Sequence, residues 1–207
     1  MANHQQKHSR SKPAVVLGNG VSRLKANLNE LKTHFITYGC NALYREYSPD
    51  YLVAVDVKMI NEIISSGYQN QNEVWTNPNK GITSTAGINL FDPHKGWSSG
   101  PTALWLACQN GHKEIYILGF DYAGIEGKFN NVYADTFNYK KSTEIPTFFG
   151  NWANQTAQII SGFKEIAFYR VVDKGYMTPD PLQGSFHNFF NIPYSEFENR
   201  FPGSTFI

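Results

Sequence analysis

Cysteine is almost missing from this chain of 207 residues. The two present, Cys40 and Cys108, cannot build a disulfide framework or a CxxC metal site, so reduced thiols and a cytoplasmic setting are the expectation. Charge is scarce as well. Charged residues make up 17% and the formal net charge is +1, which excludes a coiled coil, a basic nucleic-acid arm and an acidic disordered chain. No nucleic acid and no anionic membrane surface is expected as a partner. No apolar run approaches the roughly 18 residues of a transmembrane helix, and the polar stretch MANHQQKHSRSK has no apolar h-region of a secretory signal. Histidine number six, yet His4 and His8, spaced i, i+4, sit in the polar tail, and none of His34, His94, His112 and His187 forms such a pair. Zinc is therefore disfavoured and no metal is expected. Ser99 lacks the GxSxG setting of a serine hydrolase nucleophile.

Aromatic residues, at 15%, and asparagine are plentiful, a mix that suits pockets lined by rings and amides. Apolar β-branched runs alternate with helical spacing. Residues 13–17 (PAVVL) predict a strand, followed at once by Gly18-Asn19-Gly20 and a helix over 23–33 with Leu24, Leu28 and Leu31 on one side. Strands are also predicted at 35–38, 51–55, 114–119 and 166–172, and helices over 59–64, from Gly100-Pro101-Thr102 through Gln109, and over 152–164. The stretch 67–96 reads mostly as connection, with short strands near Val74-Trp75 and Ile82. This order predicts an α/β fold: a single Rossmann-like domain over 13–172, with a mainly parallel sheet and helices on both faces. Residues 1–12 read as a disordered tail, about 123–150 as a lid insertion, and 173–207, rich in Pro and Phe, as a segment that wraps the domain or meets a partner.

Ligands of open α/β sheets sit beyond the carboxyl ends of the strands. Those ends carry Gly18-Asn19-Gly20, Cys40-Asn41, Asp56 and Asp121-Tyr122, and Ser98-Ser99-Gly100 opens the helix before the fourth of them. The Gly18-Asn19-Gly20 turn allows close backbone approach to a ligand, and the helix start behind it favours an anion. It equally describes a tight βα turn with Ser22 as N-cap. Ser99 reads as the N-cap of its helix with Pro101 at N1, and phosphate contact adds to that role. Asn41 can pair with a base edge or sugar hydroxyl, or close its strand as an Asx-turn. Asp56 and Asp121 can hold a cation, a ribose hydroxyl or a lysine, or cap a turn.

Taken together, Gly18-Asn19-Gly20-Val21-Ser22, Cys40-Asn41, Ser99-Gly100 at a helix start and the run from Gly111 to Tyr122 (GHKEIYILGFDY) resemble the bacterial lipooligosaccharide sialyltransferases, which carry GNGPS, CN, TSG and GYKEIYLSGIDFY-like segments in that order. Tyr133-Ala134-Asp135-Thr136 is similar to their lid segment. The resemblance implies a Rossmann-like domain with a lid, a cytidine-monophosphate (CMP) sugar donor, a glycan acceptor, no cofactor or metal, and a homo-oligomer. It places Asn19, Asn41, Ser99 and Gly100 on the nucleotide or its phosphate, and Tyr133 and Tyr122 on the departing phosphate oxygens, where fixed donors would offset the growing charge. Two positions depart from the family. Val21 replaces a proline, and Gly150-Asn151 stands where the family has its Gly-His general base, so another group, such as His94 or His187, would have to serve instead. Pro49 to Asp56 (PDYLVAVD) resembles the 6-hydroxymethylpterin pyrophosphokinase-like proteins, which implies the alternative of a magnesium-dependent phosphotransferase with Asp56 and Asp121 at the metal. Loss of the base leaves a third reading, a non-catalytic nucleotide-binding protein.

Overall fold

In the computed structural model, which describes residues 12–78, 82, 87–184 and 186–206, β1 (Ala14–Leu17) is buried along its whole length. A strand apolar on both faces needs cover on both faces, and the chain supplies it. On one side β1 pairs with β2 (Ile36–Cys40), followed outward by β3 (Tyr51–Val53), β4 (Val74–Thr76) and β5 (Ile88–Leu90). On the other it pairs with β6 (Glu114–Leu118), then β7 (Ala167–Val171) and β8 (Phe189–Ile192). Every pairing is parallel. Five helices complete the described residues: α1 (Leu28–His34), α2 (Val57–Ser66), α3 (Ser99–Gln109), α4 (Gly150–Gly162) and α5 (Tyr194–Arg200). Alternate strand residues feed opposite cores. Val15, Leu17, Tyr116 and Leu118 pack with α1, α2 and α5, whereas Ala14, Val16, Ile115 and Ile117 pack with α3 and α4. The fold is an open, parallel, Rossmann-like α/β sheet with helices on both faces. Among the described residues no helix is long and apolar enough to cross a membrane.

The expected tail lies outside the described residues except for Lys12, and His4 and His8 with it. The helix predicted over 23–33 is interrupted. Val21–Lys25 forms a 3-10 turn and α1 begins only at Leu28, because Ala26 bridges to Thr205 and the Arg23 side chain turns inward, leaving Leu24 exposed. The segment 173–207 extends the domain rather than only covering it. It contributes the edge strand β8 and α5, whose Tyr194 and Phe197 are buried. Phe197 stacks on Phe35 at 5.6 Å between ring centres, a pairing of the kind that adds about 0.5–1.5 kcal/mol beyond area burial.

Candidate functional site

The neighbours of β1 lie on opposite sides, β2 on one and β6 on the other. The chain leaving β1 goes on to β2 and the chain leaving β6 goes on to β7, so a crevice opens at this switch point. It is a cavity of about 350 Å³ lined by Gly18, Asn19, Gly20, Asn41, Asp56, Ser99, Gly100, Asp121 and Tyr122. Residues distant in sequence thus share one wall. Phe129, Asn130, Asn131, Phe149 and Trp152 add to the lining from the chain beyond β6, and none of these was singled out by its sequence pattern. The volume lies at the lower end of the range for small-molecule sites, roughly 300–1,000 Å³.

The glycines of the first turn serve the protein before any ligand. Gly18 N–H donates to Leu118 O at 2.8 Å and Gly20 N–H to Gly119 O at 2.9 Å. A Cβ on Gly18 would sit 2.5 Å from Gly119 O, and one on Gly20 would sit 2.4 Å from Asp121 Cγ. The space that the sequence offers to a ligand at these two positions is filled by the loop after β6. Ser22 is not a cap but an anchor. Its hydroxyl and its N–H (3.1 Å) both donate to the buried Asp121 carboxylate, and Asn130 Nδ2 donates a third bond at 3.0 Å. Asp121 ties the first turn to the segment after β6, so its oxygens are already committed.

Other polar groups on the wall lack a partner. Asn19 is 7% exposed; its amide donates to Cys40 O at 3.3 Å while Oδ1 has no partner. Asn41 Oδ1 is also buried without a partner. The backbone of Asn41 has φ 53°, a left-handed conformation that asparagine tolerates better than most residues. The N-cap of α3 is Ser98, one residue earlier than predicted, and its side chain makes no capping bond. Ser99 is the first helical residue, and its Oγ accepts a bond from Val55 N–H at 3.1 Å, which ties α3 to the end of β3. Ser99 and Gly100 thus line the cavity at the positive end of a helix dipole. Asp56 is exposed and occupies the N-cap position of α2 without a side-chain capping bond.

The three residues expected to do chemistry are placed differently. Tyr122 lines the cavity, but its buried hydroxyl donates to Thr156 Oγ1 at 2.8 Å, and burial pushes the phenol well above its ordinary range. Its φ is 52°, a conformation strained for a bulky residue. Tyr133 does not line the cavity. Its hydroxyl donates to Glu46 Oε1 at 2.5 Å and accepts from Arg23 Nη2 at 3.2 Å, within the core that covers α1 and α2. Asn151 is exposed on α4 and is absent from the lining, as are His34, His94, His112 and His187. Sequence inspection missed Arg170. It is 1% exposed and donates to Phe120 O (2.9 Å), Asp121 O (3.1 Å) and Met177 O (3.2 Å), with its guanidinium 5.2 Å from the centre of the Tyr122 ring. One basic residue inside the apolar run AFYRVV was the available signal.

The segment 123–150 has no strand or helix before α4 begins at Gly150. It is clamped across the carboxyl ends of β1 and β2. Val132 N–H donates to Asn19 O at 2.8 Å. Arg45 pairs with Glu62 and also donates to Thr136 Oγ1 (2.8 Å) and Phe137 O (2.9 Å), while Asn138 Nδ2 donates to Glu62 at 2.7 Å. Burial alone would raise the Glu62 carboxyl, but bonds from Tyr44, Arg45 and Asn138 outweigh it and hold the group below its usual range. A carboxyl depressed in the folded state stabilises above its unfolded value of about 4.3 and stops doing so as pH falls through the lower folded value. Amides of 132–139 are therefore expected to lose hydrogen-exchange protection below about pH 4, before the β1 amides do. Glu62→Gln should abolish that acid step, and an acid step retained in the variant would assign it to another group.

Among the described residues, no three His, Cys, Asp or Glu side chains gather into a group able to hold a metal ion. No protein-family model matches the chain, and no curated protein does. Among solved structures it is similar to alpha-2,3-sialyltransferase from Campylobacter jejuni in apo form, with 15% sequence identity and a TM-score of 0.49 over 99% of this chain and 84% of that one. A likeness of that size carries nothing about chemistry.

Proposed function

We propose that the chain is a glycosyltransferase that binds a CMP sugar in the cavity at the β1–β6 switch point and passes the sugar to a glycan acceptor without a metal. The observation that carries this reading is the convergence of Asn19, Asn41, Ser99 and Gly100 on one cavity wall. These are the residues that the motif resemblance assigns to the nucleotide; Asn19 and Asn41 carry buried amide oxygens without a partner, and Ser99 and Gly100 open a helix whose N-cap side chain makes no capping bond. The amide oxygens suit the donor edge of a base or the hydroxyls of a ribose. The helix start suits the phosphate, and it gains importance as the sugar bond breaks and charge collects on the leaving oxygen. Phe129, Phe149 and Trp152 line the same cavity, and rings suit a base or a sugar. Tyr122 reaches the phosphate only if its bond to Thr156 is released. Asp121 is unsuited to the magnesium of the phosphotransferase reading, because Ser22 and Asn130 already hold it. The absence of any described histidine from the wall favours, as a second reading, a protein that binds nucleotide without turnover.

Calorimetric titration with cytidine monophosphate in EDTA tests the first reading. Saturable one-site binding is expected, and Asn41→Ala should weaken it by about tenfold, the loss of one hydrogen bond of about 1.4 kcal/mol. A folded protein that takes up no cytidine monophosphate ends this assignment.

A further inference from the structure

A second cavity of about 370 Å³ adjoins the first. It is lined by Asn41, Asp56, Val57, Lys58, Asn138 and Tyr139, among others. Asn41 and Asp56 line both cavities, so the two share a wall at the carboxyl ends of β2 and β3. A two-substrate transfer needs such an arrangement, with one reactant in each space and the reacting atoms at the partition. The titratable groups on the first cavity's wall differ in what they can offer. Cys40 is buried and its thiol is pushed up to about 12 by that burial. Asp121 holds three donors, and the Tyr122 hydroxyl is given to Thr156. Asp56 is exposed and has neither a capping bond nor an ion pair among the described residues. Its oxygens are free, and the second cavity brings polar company of its own in Lys58, Asn138 and Tyr139.

We propose that Asp56 is the general base of the transfer, acting on an acceptor hydroxyl that enters from the second cavity; the inference rests on the CMP-sugar reading of the first. The acceptor oxygen forms a bond to the anomeric carbon. The bond from that carbon to the phosphate oxygen breaks, and its electron pair stays on the phosphate at the α3 start. The acceptor proton passes to an Asp56 carboxylate oxygen. A carboxylate is a competent base here because the acceptor oxygen becomes strongly acidic as its new bond forms. The part that the family resemblance gives to a histidine at the start of α4 is then served from the carboxyl end of β3, and Asn151 has no part in the step.

The experiment pairs binding with turnover. Cytidine monophosphate affinity is measured by calorimetry, and sugar release from CMP-sialic acid is followed with lactose and with water as acceptors. In Asp56→Asn the nucleotide affinity should stay within about twofold and sugar release should fall about 10²–10⁴-fold, the usual share of a general base. Asparagine is as good an N-cap as aspartate, so folding should hold. Asp56→Gly should recover part of the rate in added formate, which a merely structural role would not produce. Sugar release by Asp56→Asn at the wild-type rate, or loss of affinity and rate together, overturns the assignment. A wild-type protein that binds cytidine monophosphate but releases no sugar to either acceptor overturns it too while leaving the nucleotide site standing. Failure of the wild type to bind cytidine monophosphate overturns the site reading itself.

Discussion

Arg170→Met is expected to cost the fold on the order of 4 kcal/mol, since each buried acceptor left without its charged donor is worth about 1–3 kcal/mol. Phe120 O and Asp121 O lose their donor in the buried interior, and Met177 O loses it at an exposed residue, where water can replace it. Methionine keeps most of the aliphatic stem, so the loss is chiefly that of the guanidinium, its bonds and the space it fills. Against a total of about 5–15 kcal/mol for a domain, such a change leaves little margin. Urea denaturation should show a lower midpoint with an unchanged slope. Arg170→Lys should fall between the two, because one ammonium on a flexible stem cannot span three carbonyls. The site should suffer as well. Arg170 fixes the backbone that carries Asp121 and Tyr122, and Tyr122 is held in a left-handed conformation that relaxes when its surroundings let go. A midpoint within error of wild type would mean that solvent replaces the guanidinium at no cost, and Arg170 would then be a bystander.

What the sequence makes legible is the centre of the sheet. β1 and β6 announce themselves as apolar β-branched runs because both faces are buried, and Gly18-Asn19-Gly20 and Gly119-Phe120-Asp121 mark where they end. The edges are harder to see. β5 is half-buried throughout, and β8 has four residues of which only Ile192 is buried, so neither has a period long enough to stand out. The site's outline is visible in the same uneven way. Asn19, Asn41, Asp56, Ser99 and Asp121 can be picked from strand ends and helix starts by chemistry alone. Their division of labour cannot, because it depends on which partner each one finds. Asp121 and Ser22 are 99 positions apart in sequence, and nothing local tells Asp121 that its oxygens will be taken. Tyr133 follows the same rule. The family resemblance puts its hydroxyl on the departing phosphate oxygens, yet Glu46 and Arg23, far from it in sequence, hold that hydroxyl in the core. The phenylalanines of the last segment read as exposed for want of periodicity, and the core needed Phe197 to cover Phe35 and Tyr116.

Two glycines with nearly equal backbones separate strain from collision. Gly119 has φ 70° and Gly111 has φ 83°, both left-handed. Alanine at either position pays the left-handed penalty of about 1–2 kcal/mol. A Cβ on Gly111 meets nothing within 4 Å, whereas one on Gly119 lies 2.7 Å from Gly18 O and 3.1 Å from Arg23 Cβ. The first contact is with backbone that is itself bonded to β6 through Gly18 N–H, so it cannot swing aside as a flexible side chain would. Gly111→Ala should therefore lower stability by about 1–2 kcal/mol and leave nucleotide binding unchanged. Gly119→Ala should lower it by at least a further 1–3 kcal/mol, the range for forced overpacking, and should weaken cytidine monophosphate binding at least tenfold by prising apart the two loops that form the cavity floor. The difference between the two variants measures the crossing of the β1 and β6 loops directly. Equal stability losses, with binding intact in both, would show that this crossing yields readily and that the cavity does not depend on it.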